Sequence, residues 1–147
     1  MNTAIKVALG NDHAGYELRL VVLDWLRQKG FEVVDFGTDS EESVDYPDYV
    51  HPLALSVERG ESDLGVLICG SGQGVSITAN KHQGIRAALC WIPEIASLAR
   101  SHNSANILCL PGRYIGPETA CAILEQFFSV DFEGGRHQRR VEKVPLK

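Results

Sequence analysis

Apolar runs of four to six residues recur along the chain, and each gives way to a stretch in which apolar residues return every three to four positions until a glycine or a turn closes it. The runs Ile5 to Leu9, Phe31 to Phe36, Leu64 to Cys69, Arg86 to Cys90 and Ile107 to Leu110 predict β-strands. The stretches between and after them predict helices over Tyr16 to Lys29, Pro47 to Arg59, Gly74 to Lys81, Pro93 to His102 and Pro117 to Ser129, the first two closed by Gly30 and Gly60. Leu64-Gly-Val-Leu-Ile-Cys69 is apolar on both faces, as a parallel strand covered by helices on either side must be. Strand and helix alternating five times predict an α/β fold: a single-domain, doubly wound, Rossmann- or flavodoxin-like five-stranded parallel sheet with helices on both faces. In such folds ligands bind beyond the carboxyl ends of the strands, near the switch in strand order, so the turns after the strands are where chemistry is sought.

A length of 147 residues suits one hydrophobic core. The expectation is one domain over 1–147, with 131–147 a basic C-terminal helix or arm. The 44% hydrophobic and 22% charged content is that of a globular chain, and 6 prolines with 14 glycines exclude a low-complexity one. The longest unbroken apolar run, Ala87 to Ile92, has six residues against the roughly 20 a membrane span needs. No basic segment and small-residue cleavage site open the chain, so the expectation is a cytoplasmic protein with no membrane partner.

Charge is unevenly spread. The net charge is −5, yet residues 136–147 hold five basic groups against Glu142, a net of +4, which leaves −9 for residues 1–135. An acidic body argues against nucleic acid as the main partner, because phosphate-backbone binding wants a broad basic face. A short basic tail suits one small anion; the plain alternative is a solvated C-terminal helix. Cys69, Cys90, Cys109 and Cys121 form no C-x-x-C, and the five histidines form no H-x-x-x-H or H-E-x-x-H. Reduced thiols are therefore expected, with no metal and no cofactor.

Five segments carry the candidate chemistry. Gly10-Asn-Asp-His-Ala-Gly15 sets Asp12 and His13 between a strand and a helix, where an Asp can also be a cap and a His a surface residue. Cys69-Gly-Ser-Gly-Gln-Gly74 brings Gly70, Gly72 and Gly74 to alternate positions, so that backbone N–H groups can close on an anion. It is neither a G-x-G-x-x-G nor a Walker loop, which weighs against a nucleotide. Cys69, the last residue of its strand, points at those N–H groups, which favour a thiolate able to act as nucleophile or general base. Ser101-His-Asn103 ends a helix, and Gly112-Arg-Tyr114 follows the fifth strand; His102 can merely serve the helix dipole, and Arg113 can be a surface residue. In Glu133-Gly-Gly-Arg-His-Gln-Arg-Arg140, Arg136 and Arg140 stand four apart, and on a helix both guanidinium groups share one face shaped for a phosphate.

Taken together, Asn11-Asp-His-Ala-Gly15, Asp45-Tyr-Pro-Asp48, Ile68-Cys-Gly-Ser-Gly-Gln-Gly74 with Ala79-Asn-Lys81, Gly84-Ile-Arg-Ala-Ala88, His102-Asn-Ser-Ala-Asn106 and Glu133 to Arg140 cover the chain from end to end. In this order they resemble the ribose 5-phosphate isomerase B family, which includes the galactose 6-phosphate isomerase subunits. The resemblance implies a homodimer, which can pair into a homotetramer, that interconverts a phosphorylated aldose and ketose without metal at a site built across the dimer. It implies Cys69 as the base, in the cysteine branch of the family; the other branch places a Glu where this chain has Val75. By the same resemblance His102 assists ring opening, Asp12 and Tyr46 contact the ring oxygen and hydroxyls, and Asn103 positions the enediolate. Ser71 and the N–H groups of Gly70 to Gly74 hold its oxygen, and His13, Arg113, Arg136 and Arg140 take the phosphate.

Trp91, Pro111 and Gly112 depart from the family pattern beside the site and leave substrate choice open. Ribose 5-phosphate is the default, with allose 6-phosphate, galactose 6-phosphate and a tetrose phosphate as alternatives. Two other classes compete. A Cys-His hydrolase or thiol oxidoreductase would use Cys69 and His102 but leaves the arginines unexplained. A non-catalytic phosphate-binding module would use the glycines and arginines but leaves Cys69 and His102 idle.

Overall fold

A computed structural model describes residues 4–147. In chain order it has β1 (Lys6–Asn11), a 3₁₀ turn (His13–Gly15), α1 (Tyr16–Gln28), β2 (Glu32–Asp35), α2 (Pro47–Glu58), β3 (Leu64–Cys69), α3 (Gln73–Ala79), β4 (Ala87–Leu89), α4 (Pro93–Asn103), β5 (Ile107–Pro111), α5 (Pro117–Ser129) and α6 (Arg136–Glu142). The strands form one parallel sheet in the order β2-β1-β3-β5-β4.

Strand alternation sends successive side chains to opposite faces, and each face has its own core. Val7, Leu9, Val66, Ile68, Leu108 and Leu110 pack against α1, α4 and α5. Ala8, Leu67, Cys69, Ile107 and Cys109 pack against α2 and α3. The central strands are thus buried on both sides, as their unbroken apolar sequence predicts. Each buried Leu, Ile or Phe contributes on the order of 1.5–3 kcal/mol relative to an exposed one.

The edge strand β4 is shorter than the run Arg86 to Cys90 predicts, because Arg86 is occupied elsewhere. Its N–H donates to Asn106 Oδ1 at 2.8 Å, and its Nε donates to the carbonyls of Asn103 at 3.1 Å and Ser104 at 3.0 Å, which close the end of α4. The tail does form a helix, α6, which lies against α4.

Two features of this topology position the site. The helix after β1 crosses to one face and the helix after β3 to the other, which opens a crevice at the adjacent carboxyl ends of these strands. A crossover helix also runs against its strands, so the carboxyl end of α4, with His102 and Asn103, lies at the amino ends of β4 and β5. At about 3.3 Å per residue, the five residues of β5 separate the two ends of the sheet by roughly 15 Å.

Candidate active site

In the crevice, Asp12, His13, Tyr46, Cys69, Gly70, Ser71, Gly74 and Arg113 line one cavity of about 370 Å³ together with Ala14 and Tyr114. Asp12 is buried and holds its own turn: Oδ1 accepts the N–H groups of Ala14 at 2.9 Å and Gly15 at 3.1 Å. The capping reading and the cavity reading both hold for this residue. His13 Nδ1 accepts the N–H of Val44 at 3.1 Å, which places the ring hydrogen on Nε2 as a donor. Cys69 ends β3 opposite Pro111 of β5 and is 5% exposed.

The turns after β3 and β5 are tied together. Gly112 N–H donates to Cys69 O at 2.8 Å, and Arg113 N–H to Gly70 O at 3.0 Å. A Cβ at position 70 would lie 3.3 Å from Arg113 Cδ and 3.5 Å from its Nη1, so the bare backbone of Gly70 lets the guanidinium lie over the turn. Gly72 has φ +75, a left-handed conformation that glycine takes without strain, and starts α3. Gln73 N–H then donates to Ser71 Oγ at 3.3 Å.

The other predicted residues are elsewhere in the same chain. Asn103 and Arg140 line a second cavity of about 430 Å³ with Asn80, Arg86 and Val144. His102 stacks on His137 of α6, with ring centroids 4.3 Å apart and planes 10° from parallel. Burial, then His102 and Arg136, hold the His137 imidazole below its ordinary pKa range. Arg136 opens α6, at the same end of the fold. One chain therefore brings Cys69, Asp12, His13, Tyr46, Ser71 and Arg113 together, and holds His102, Asn103, Arg136 and Arg140 at the far end of the sheet.

The remaining cysteines fit their reading as small apolar residues. Burial pushes the Cys90 thiol up to about 12, and burial drives that of Cys109 upward as well.

Known proteins share both this sequence and this fold. The Ribose/Galactose Isomerase family matches residues 7–144. Ribose-5-phosphate isomerase B of Escherichia coli K12 is 47% identical over 139 residues, covering 95% of this chain and 93% of that protein. The crystal structure of a ribose 5-phosphate isomerase from Thermotoga maritima superposes with a TM-score of 0.94 at 54% identity, over 97% of this chain and 99% of the other. Ribose-5-phosphate isomerase B from Mycoplasma genitalium, solved with bound ribulose-5-phosphate, superposes at 0.92 with 39% identity, over 97% and 95%.

The chain belongs to the ribose/galactose isomerase family.

As a member of this family it carries Cys69 at the end of β3 and Val75 on the buried face of α3, where a carboxylate would have no solvent. Tyr114 lines the Cys69 cavity although the sequence reading gave it no role; its place directly after Arg113 in Gly112-Arg-Tyr114 was the available signal. Glu133 and His137 also gather at His102, from a motif read only for its arginines.

Proposed function

We propose that this chain interconverts ribose 5-phosphate and ribulose 5-phosphate through an enediolate, with Cys69 as the base at carbon. The observation that carries the reading is the placement of Cys69 beside Asp12, Tyr46, Ser71 and Arg113 in one cavity of a chain whose relatives are named for this reaction. Aldose–ketose exchange moves one proton between adjacent carbons. The Cys69 thiolate takes it from C2 of the open-chain aldose, and the thiol returns it to C1; the C1 carbonyl oxygen gains a proton and keeps it as a hydroxyl, while the C2 hydroxyl gives one up and becomes the ketone. Negative charge developing on oxygen is held by Ser71 and the N–H groups of Gly70 to Gly74, each such donor being worth on the order of 3 kcal/mol in the transition state. Asp12 and Tyr46 hold the ring oxygen and hydroxyls, and His13 presents its Nε2–H, with Arg113, to the phosphate.

His102, Asn103, Arg136 and Arg140 complete the site from a second copy of the chain. The sheet itself supports this: roughly 15 Å of strand separate these residues from Cys69 within one chain, more than a side chain can reach across. In this reading residues 1–147 act as one isomerase domain, in the cytoplasm, as a homodimer that can pair into a tetramer.

The test is ketose formation from ribose 5-phosphate by EDTA-treated protein, run beside Cys69→Ala. Activity in the first and a loss of about 10²- to 10⁴-fold in the second is the expected result. Wild-type turnover in Cys69→Ala removes the mechanism. Activity confined to four- or six-carbon sugar phosphates keeps the mechanism and changes the substrate.

A further inference from the structure

Residues 36–46, between β2 and α2, form no regular structure and carry Tyr46 to the Cys69 cavity. Asp39, Glu41, Glu42, Ser43 and Asp45 are exposed, and Val44, the one apolar side chain among residues 39–45, is only half-buried. No core burial therefore anchors this stretch. Its start is tied down: Thr38 N–H donates to Asn11 O at 3.2 Å, and Asn11 Nδ2 donates to Thr38 O at 3.2 Å. Past Thr38, among the described residues, a single hydrogen bond joins residues 39–44 to another part of the chain. Val44 N–H donates to His13 Nδ1 at 3.1 Å, across 31 positions of sequence.

His13, by contrast, stands on a turn that is fixed from several sides. Asp12 N–H donates to Ile68 O at 3.3 Å, and Asp12 Oδ1 caps the turn through the N–H groups of Ala14 and Gly15. Gly15 lies so close to β3 that a Cβ there would stand 2.4 Å from Ile68 O. Restraint therefore passes from His13 to Val44. Tyr46, two residues further on, is held by α2 through its carbonyl, which accepts Tyr49 N–H at 3.0 Å and Val50 N–H at 3.1 Å. Its amide side is set by the chain arriving from Val44.

We propose that His13 is a positioning residue for Tyr46: its Nδ1 holds Val44, and the held Val44 sets where the phenol enters the Cys69 cavity and packs on Gly74. A neutral imidazole has one acceptor and one donor nitrogen, so the ring serves two parts of the site, with Nδ1 on the segment before α2 and Nε2–H toward the phosphate. The kinetic consequence rests on the reading of Tyr46 as a contact to the sugar.

The test separates the two nitrogens. His13→Asn places an amide oxygen near the position of Nδ1 and nothing at Nε2; His13→Gln places an amide nitrogen near Nε2 and leaves Val44 N–H without its acceptor. In full-length protein, hydrogen exchange of the Val44 amide should be at least about fivefold faster in His13→Gln than in wild type, the population shift of one ordinary hydrogen bond, and within about twofold in His13→Asn. The nuclear Overhauser contact between the Tyr46 ring and Gly74 should weaken in His13→Gln and persist in His13→Asn. Neither measurement needs substrate, so both stand if the isomerase reading fails. With ribose 5-phosphate, Tyr46→Ala should lower kcat/KM about tenfold in wild type and in His13→Asn, but less than about threefold in His13→Gln, where the ring is already displaced. A merely structural contact would give equal losses in all three backgrounds. His13→Ala, which removes both nitrogens, replaces His13→Gln if that variant fails to fold and carries the same expectations. Equal Val44 exchange in wild type and the variants without Nδ1, or full additivity with Tyr46→Ala, overturns the proposal.

Discussion

Tyr46 lies against Gly74 so closely that a Cβ at position 74 would stand 2.6 Å from the phenol Cζ and 2.7 Å from Cε1. Tyr46 precedes α2 and Gly74 belongs to α3, so the contact joins the two helices of one face at the mouth of the Cys69 cavity. A missing side chain in the glycine turn thus fixes where an aromatic ring can stand.

Gly74→Ala should push the Tyr46 ring out of place. Because that ring is partly exposed, we expect the thermal midpoint to move by less than about 3 °C, while KM for the sugar phosphate rises roughly tenfold. A large fall in midpoint with KM unchanged would make the contact structural instead.

Gly72→Ala should behave in the opposite way. The residue has φ +75, and a Cβ there would meet Leu89 Cδ1 at 2.4 Å and the Leu110 carbonyl carbon at 3.2 Å. A left-handed alanine costs about 1–2 kcal/mol and overpacking about 1–3 more, so a loss of roughly 2–5 kcal/mol is expected in denaturant unfolding. Wild-type stability would show that the turn can relax.

Thiol chemistry should be selective. With the Cys90 thiol pushed up to about 12 and Cys109 raised by burial, both stay protonated through the neutral range. Iodoacetamide at pH 8 should label Cys69, abolish activity, and be slowed by ribose 5-phosphate, with Cys90 and Cys109 untouched by mass spectrometry. The same shifts have a stability consequence. Above the ordinary thiol value of 9.0 the unfolded chain releases protons that the folded chain keeps, so stability should fall as pH rises beyond it. Rapid native-state labelling of Cys90 contradicts the assignment.

Mixing two inactive proteins should restore activity. Cys69→Ala and His102→Asn, unfolded and refolded together, give mixed dimers in which one of two sites has both groups intact, or about a quarter of wild-type activity at random pairing. No recovery, with mixed dimers verified by mass, would mean that the two residues are not brought to one site from different chains.

The sheet and the crevice residues were legible because their signals are local. Leu64 to Cys69 reads as a doubly buried strand, and Gly70, Gly72 and Gly74 read as a turn after it. Predicted helix bounds shifted by a residue or two, as at α3, whose N-terminus is set by the left-handed Gly72 rather than by periodicity. What the sequence did not disclose is non-local. Nothing in Arg86 shows that it will close α4 through two carbonyls and so shorten β4. The gathering of His102, Glu133 and His137 matches no sequence motif, because α4, α6 and the segment before α6 bring them together only on packing. The distance between Cys69 and His102 is likewise a property of strand direction, invisible in a list of motifs.

In the proposed two-copy reading, that separation changes what kind of quantity the turnover number is. When two copies complete one centre, specific activity depends on how concentrated the protein is: dilution below the dimer's dissociation constant removes active sites without unfolding a single chain. Expression level then sets the rate more steeply than in proportion, and a copy disabled at both Cys69 and His102 silences an active chain by pairing with it.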